Sequence, residues 1–117
     1  IIRMGKVLLE YLDGDNIYAC VECGAHLTAY RELLSKAFKG RGGKAFLFKH
    51  TLNISTGPKE ERQLLSGIYV VRDLFCKGCQ TYVGWKYEQA QHEDQKYKEG
   101  KFILEKCQLK KEYWTYQ

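Results

Sequence analysis

The chain has 117 residues, 44% of them hydrophobic and 14% aromatic, which is typical of a folded globular protein and excludes a disordered or collagen-like one. Its length fits one domain and excludes a two-domain enzyme or a large α/β barrel. With 19 basic and 14 acidic residues, the formal charge of +5 permits contact with nucleic acid without requiring it.

Segments predicted as β-strands dominate the chain, because β-branched and aromatic residues cluster in them or alternate with polar ones. In chain order they are residues 7–12, 45–48, 51–56, 67–74, 81–87 and 101–109. Glycine, proline, aspartate or asparagine interrupts the pattern at residues 13–16, 40–43, 57–58 and 99–100. One short helix is predicted over residues 30–38, where Leu33, Leu34 and Phe38 fall on one face, whereas the polar residues 89–98 are interpreted as a loop.

The longest apolar run covers only residues 17–21, far short of the ~20 residues that a membrane-spanning helix needs. A basic segment followed by an apolar one, the pattern of a secretory signal, is also missing from the sequence. We therefore expect an intracellular protein, in the nucleus, the cytoplasm or both, without membrane contact. In a reducing compartment cysteines are more often ligands or free thiols than disulfides.

The five cysteines form two CxxC pairs, Cys20 with Cys23 and Cys76 with Cys79, and leave Cys107 alone. Each pair follows a β-like segment and has a glycine close by, which allows a tight turn that places both thiols on one side. Four thiolates complete a tetrahedral zinc site without an open position, so we expect one structural Zn²⁺ ion. Redox-active thiols or disulfides are the alternative. Residues 24–75 separate the pairs, so the metal would join distant parts of one domain.

The CxxC pairs belong to a longer series of spaced residues. The series comprises Cys20, Cys23, Gly43, Leu47, Asn53, Gly67, Cys76, Cys79, Gly84-Trp85-Lys86-Tyr87, Lys98 and Glu105. Together with residues 96–101 and 103–105, it resembles the yippee-like protein family over nearly the whole chain. Residues 43–48 and the Arg72-Asp73 pair are similar to the branch that contains the yippee-like subunit of the GID/CTLH ubiquitin ligase.

This resemblance implies a mainly β structure of the β-tent group, which also includes the thalidomide-binding domain of cereblon and methionine sulfoxide reductase B. Two antiparallel sheets would be joined by the four-cysteine zinc site, with at most one short helix. Residues 1–117 would form a single yippee domain with its core at about residues 16–109. Gly67 is expected at a turn of a sheet or a close approach, and Asn53 is expected to bind backbone groups and fix a loop.

Proteins of this fold group often carry an aromatic pocket on the open face of a sheet. Trp85 and Tyr87 occupy two positions of the cereblon-like cage, whereas the other two fall near Leu65 and Val71, which are not aromatic. Such a face can hold a cation or an imide-like ring, and packing in the core is the alternative. The candidate pocket residues are Trp85, Tyr87, Phe48 and Tyr69, and of the further aromatic residues Phe46, Phe48 or Tyr69 could line a different pocket.

Three further features have structural alternatives. His26 follows the first CxxC pair, but the four-thiolate set is complete without it, so a packing, hydrogen-bonding or surface role is expected. Cys107 is expected to be an inert strand cysteine, because Lys106 alone is weak activation for a nucleophile. A basic stretch could contact phosphate or an acidic partner, although a solvated loop is favoured. It contains Lys39, Arg41, Lys44 and Lys49.

The resemblance implies a non-enzymatic, zinc-stabilised protein-interaction module. It would act as a subunit or adaptor of a larger complex, such as an E3 ubiquitin ligase of the GID/CTLH type, with ligase subunits as its protein partners. A nucleic-acid or chromatin-associated binding module is the alternative, with nucleic acid permitted but not favoured as a partner. An enzyme similar to methionine sulfoxide reductase that uses Cys107 is a weaker alternative.

Overall fold

The computed structural model describes residues 8–14 and 16–113, which form nine β-strands and three short 3-10 helices. The strands are β1 (Ile17–Cys20), β2 (His26–Ala29), β3 (Leu33–Gly40), β4 (Gly43–Phe48), β5 (Ile54–Leu64), β6 (Gly67–Cys76), β7 (Tyr82–Ala90), β8 (Phe102–Glu105) and β9 (Leu109–Glu112). The 3-10 helices are Tyr30–Glu32, Glu93–Lys98 and Lys106–Gln108. The described residues contain no α-helix.

The strands form two antiparallel sheets. The smaller sheet has the order β2-β1-β9, and the larger sheet has the order β3-β4-β8-β7-β6-β5. Neighbouring strands in the larger sheet are joined mostly by hairpins, while the chain passes between the sheets after β2 and after β8. The predicted mainly β fold with two antiparallel sheets is confirmed.

Side chains from both sheets pack into one buried cluster, which therefore lies between them. Its members are Tyr18, Cys20, Ala25, Leu27, Phe46, Phe48, Leu74, Cys76, Val83 and Leu104. A second cluster belongs to the larger sheet alone and lies on its other face, here called the open face. Its members are Ala45, Leu47, Tyr69, Val71, Trp85, Tyr87, Ala90 and Ile103. Strand β4 shows the division directly, because successive side chains of a strand point to opposite faces.

A β-bulge in β7 determines which face Trp85 reaches. Leu74 pairs with Gly84 and Phe75 pairs with Tyr82, so Val83 is an extra residue on the β7 side of the ladder. An extra residue of this kind reverses the alternation of side chains beyond it. Val83 consequently faces the other sheet, while Trp85, two residues later, faces the open side.

The helix predicted over residues 30–38 is wrong. Only Tyr30–Glu32 forms a 3-10 helix, and Leu33–Gly40 is the edge strand β3, paired with β4. Leu33 packs against the cluster between the sheets, whereas Leu34 is 50% exposed, so the two residues do not share a helical face. Pairing with β4 and burial against the sheets outweigh the weak helical periodicity of so short a segment.

Three strand predictions also need correction. Strand β5 continues through Gly57 and Pro58. It is an edge strand, and its register with β6 shifts between Thr56 and Lys59. The missing N–H of Pro58 therefore costs no hydrogen bond between the strands. Residues 8–12 form no strand, and Val7 lies outside the described residues. The strand predicted over residues 101–109 is interrupted by the 3-10 helix Lys106–Gln108, where the chain passes from one sheet to the other.

None of the helices formed by the described residues is long and apolar enough to cross a membrane.

Candidate metal centre

The two CxxC loops share one backbone design. The N–H of the first cysteine donates to the carbonyl five residues on, from Cys20 to Ala25 and from Cys76 to Thr81, each at 2.8 Å. That cysteine's own carbonyl accepts from the N–H four residues on, from Gly24 at 2.8 Å and from Gln80 at 2.7 Å. Both residues at this position have positive φ, 81° for Gly24 and 66° for Gln80. The loops are therefore two copies of one turn on strands of different sheets.

The turns bring the four cysteine sulfurs together. All four Sγ atoms lie within 4.8 Å of one another, with 3.6 Å between Cys20 and Cys79 and 3.5 Å between Cys23 and Cys76. Tetrahedral zinc with Zn–S bonds of ~2.3 Å requires sulfurs about 3.8 Å apart. The backbone N–H groups of Glu22 and Cys23 point at the Cys20 thiol, as those of Gly78 and Cys79 do at Cys76. This geometry fits a closed four-thiolate metal site.

Burial makes the thiols of Cys76 and Cys20 costly to ionise without a metal. It raises the pKa of Cys76 to about 12, despite the backbone N–H groups of Cys79 and Gly78, and it also raises the pKa of Cys20. Burial acts in the same direction on Cys79, but the hydroxyl and N–H of Thr81 outweigh it and lower that pKa to about 7. A bound divalent cation would supply the positive charge that stabilises all four as thiolates.

Asn53, which the sequence predicted would fix a loop, supports this centre. Asn53, 7% exposed, accepts a hydrogen bond from the Glu10 N–H (2.8 Å) and donates to the carbonyls of Glu10 (2.8 Å) and His26 (2.7 Å), as its loop-fixing role requires. Its own carbonyl accepts from Lys77 in the second CxxC loop at 2.8 Å. His26 is not part of the sulfur cluster; its Nδ1 accepts from the Leu12 N–H at 3.0 Å.

Comparison with known proteins identifies the family. A family model described as "Yippee zinc-binding/DNA-binding /Mis18, centromere assembly" matches residues 16–115. The chain belongs to the yippee family. A yippee-like protein of Arabidopsis thaliana is 50% identical over 101 residues, which cover 86% of this chain and 95% of that protein. Protein yippee-like 4 of Homo sapiens is 50% identical over 95 residues, or 81% of this chain and 75% of that protein.

A solved structure supports the yippee fold independently. The crystal structure of the Mis18 'Yippee-like' domain matches with a TM-score of 0.68, covering 88% of this chain and 100% of that one at 11% sequence identity. At this identity the likeness concerns the fold alone. The family resemblance seen in the sequence is confirmed, while the assignment to the GID/CTLH branch stays a prediction.

The four candidate pocket residues of this yippee domain do not form one pocket. Phe48 lies between the sheets, with its ring centre 5.3 Å from that of Tyr18. Trp85, Tyr87 and Tyr69 lie together on the open face, with ring centres 4.8 Å apart for Tyr69 and Tyr87 and 6.2 Å for Trp85 and Tyr87. Phe46, the further aromatic residue, also packs between the sheets. Alternation along β4 explains the separation, because Phe46 and Phe48 share one face of that strand.

The aromatic residues of the open face already surround a cation, which is Lys98 of the same chain. Lys98 is only 3% exposed, and its Nζ donates to Ser66 Oγ and the Tyr69 hydroxyl, each at 2.9 Å. Four ring centres lie 5.1 to 5.8 Å from this Nζ, those of Phe38, Tyr69, Tyr87 and Tyr97. The sequence pattern contained Lys98 but gave no signal that it would be buried among aromatic rings.

Beside this lysine, a cleft crosses the open face. Two adjoining cavities of about 580 and 660 Å³ share Lys39, Leu64, Leu65 and Trp85 in their walls. Leu65, at the tip of the β5–β6 hairpin, is 95% exposed. The cleft therefore combines leucine side chains at its rim with the Trp85 ring in its wall.

The remaining candidates are dispersed. Cys107 is an exposed residue of the 3-10 helix Lys106–Gln108, not of a strand as predicted. The basic stretch spans the β3–β4 hairpin rather than forming one patch. Arg41 pairs with Asp73 at 3.5 Å and stacks over the Tyr82 ring at 4.1 Å, on the cleft side, whereas Lys44 faces a different groove.

Proposed function

We propose that this chain is a non-enzymatic, zinc-stabilised interaction module that acts as a subunit or adaptor of a larger protein complex, such as an E3 ubiquitin ligase of the GID/CTLH type. The open-face cleft is the observation that carries the proposal. Leu65 projects from its rim at 95% exposure and Trp85 forms part of its wall. Exposed apolar side chains beside a concave surface are typical of protein-interaction sites.

The metal centre supports a structural role. Cys20, Cys23, Cys76 and Cys79 would bind one Zn²⁺ as thiolates, and four protein ligands leave no coordination position for a substrate or an activated water. The zinc would hold the end of β1 against the end of β6 and so join the two sheets. The cleft then lies on a rigid support, which lowers the entropy cost of binding a partner.

The proposal is tested by affinity purification of the tagged full chain from cell extract, with mass spectrometry of the recovered proteins. We expect ubiquitin ligase subunits to be recovered with the wild-type chain and lost with Leu65→Glu, which places a charge on the cleft rim. Leu34→Glu is the matched control, because Leu34 is a 50% exposed leucine of the same sheet outside the cleft. Failure of the wild-type chain to recover any ligase subunit would contradict the proposal.

A nucleic-acid or chromatin-associated module is the second candidate. The family description includes DNA binding, and Lys44 faces a groove that four other lysines share. Binding through phosphates weakens as salt increases, because bound counterions are released. The test is a titration with labelled duplex and single-stranded DNA at 50 and 200 mM salt. Salt-sensitive binding is expected for this function, and its absence with both forms would remove the candidate.

A further inference from the structure

A groove of about 250 Å³ lies where the smaller sheet meets β3 and β4 of the larger one. Five of its eight lining residues are lysines, and none is acidic. The lysines come from different elements: Lys36 from β3, Lys44 from β4, Lys106 from the last 3-10 helix, and Lys110 and Lys111 from β9. The remaining walls are formed by Tyr18, Phe46 and Leu109.

Three of the five lysines, Lys36, Lys44 and Lys106, have no ion-pair partner among the described residues. Lys110 Nζ lies 3.7 Å from Glu112, and Lys36 Nζ lies 5.6 Å from the Phe46 ring centre. Lys44 and Lys106 are exposed and form no ion pair with the described residues. Like charges that converge on a concave surface repel one another and raise the local concentration of anions. The groove therefore favours binding of a ligand with several negative charges.

The floor of the groove indicates how that ligand is recognised. Tyr18 is 2% exposed and Phe46 is 6% exposed, so neither ring offers a free face on which a base or an aromatic side chain could stack. Recognition must therefore come from the ammonium groups at the rim. Lysine binds phosphate well as a point charge, and a phosphate group carries up to about two negative charges where a carboxylate carries one.

We propose that the five-lysine groove binds clustered phosphate groups. In so small a volume, adjoining phosphates bring several negative charges to the groove lysines, whereas an acidic peptide would need several side chains. The phosphates can come from a free oligophosphate or from a nucleic-acid backbone that enters the groove. The site is separate from the open-face cleft, so the adaptor role and this binding activity can fail independently.

The test uses the zinc-loaded full chain and tripolyphosphate in isothermal titration calorimetry at 50 and 200 mM salt. We expect binding that weakens at the higher salt and falls by about tenfold or more in Lys44→Gln/Lys106→Gln, which removes two rim charges. Lys49→Gln/Lys59→Gln is the matched control, since both lysines are exposed and lie outside the groove. This double substitution removes the same amount of positive charge as the groove variant. The control should stay within about twofold of wild type.

Two further arms define the ligand. A single-stranded oligonucleotide that loses affinity in the groove variant, but not in the control, identifies a nucleic-acid backbone as a source, whereas binding of tripolyphosphate alone identifies a free oligophosphate. Both results support the groove, and the second removes the nucleic-acid function. The proposal is overturned if tripolyphosphate does not bind, if both double variants lose affinity equally, or if a Glu-rich peptide binds as tightly as tripolyphosphate. Zinc content and melting temperature verify that each variant is folded.

Discussion

At the scale of the residue, Gly78 allows the two CxxC loops to approach closely, because it carries no side chain. A Cβ atom at Gly78 would lie 3.0 Å from Cys23 Sγ, tighter than an ordinary contact. We expect Gly78→Ala to displace that sulfur, weaken zinc binding and destabilise the domain by about 1–3 kcal/mol, the usual range for overpacking. Competition with a zinc-binding dye and thermal melting would measure both effects. Gly57→Ala is the control, because its Cβ would meet its nearest atom, on Phe75, at an ordinary 3.5 Å.

A second residue, Lys98, replaces the ligand that the aromatic face was predicted to hold. Lys98→Met keeps most of the side-chain length but removes both hydrogen bonds, to Ser66 and Tyr69, and the attraction of the surrounding rings. We expect a loss of about 1–3 kcal/mol in the free energy of unfolding, measured with urea. Lys101→Met, at a half-buried neighbour outside this cluster, should change it by less than about 0.5 kcal/mol. An unchanged stability in Lys98→Met would mean that the aromatic cluster does not need its cation.

At the scale of the element, the sequence predicted strands better than it predicted their boundaries. The strands at residues 45–48, 67–74 and 81–87 all exist, because each is buried on at least one face and its apolar pattern is strong. The edge strands β3 and β5 were misjudged, since many of their residues are polar or exposed and their pairing with the next strand contains register shifts. The bulge that turns Trp85 to the open face leaves no local signal, because it depends on register with β6.

Asn53 links elements that no local pattern joins. Its side chain connects the segment at Glu10 to β2 at His26, and its backbone has φ of +57°, which asparagine tolerates better than alanine. We expect Asn53→Ala to cost about 2 kcal/mol or more through lost hydrogen bonds and backbone strain. Asn53→Asp keeps the acceptor for Glu10 but loses both amide donations, so its cost should be comparable and not negligible. Hydrogen exchange at the Glu10 amide should rise in Asn53→Ala, and continued protection there would contradict the linking role.

At the scale of the whole molecule, the four cysteines were the part of the site that the sequence could specify. Two CxxC pairs define a ligand set by residue type and spacing alone, whereas the pocket prediction required knowledge of which strand face each aromatic residue occupies. Zinc binding as four thiolates would add −2 to the formal charge of +5 and leave about +3. Net charge alone is then weak support for nucleic-acid binding, and the argument depends on where the lysines converge.

The metal would contribute to stability by closing a long loop. Residues 24–75 separate the CxxC pairs, and closing a loop of that length costs entropy on the order of 3–4 kcal/mol, which a bound metal offsets. We expect protein purified without added metal to contain about one zinc per chain, and chelation to lower its melting temperature sharply or unfold it.

Cys79→Ser should behave like the chelated protein, whereas Cys107→Ser should retain both zinc and stability, because Cys107 lies outside the sulfur cluster. Elemental analysis together with circular dichroism measures both quantities, and a metal-free chain that melts like the zinc-loaded one would show that the sheets hold together without the ion.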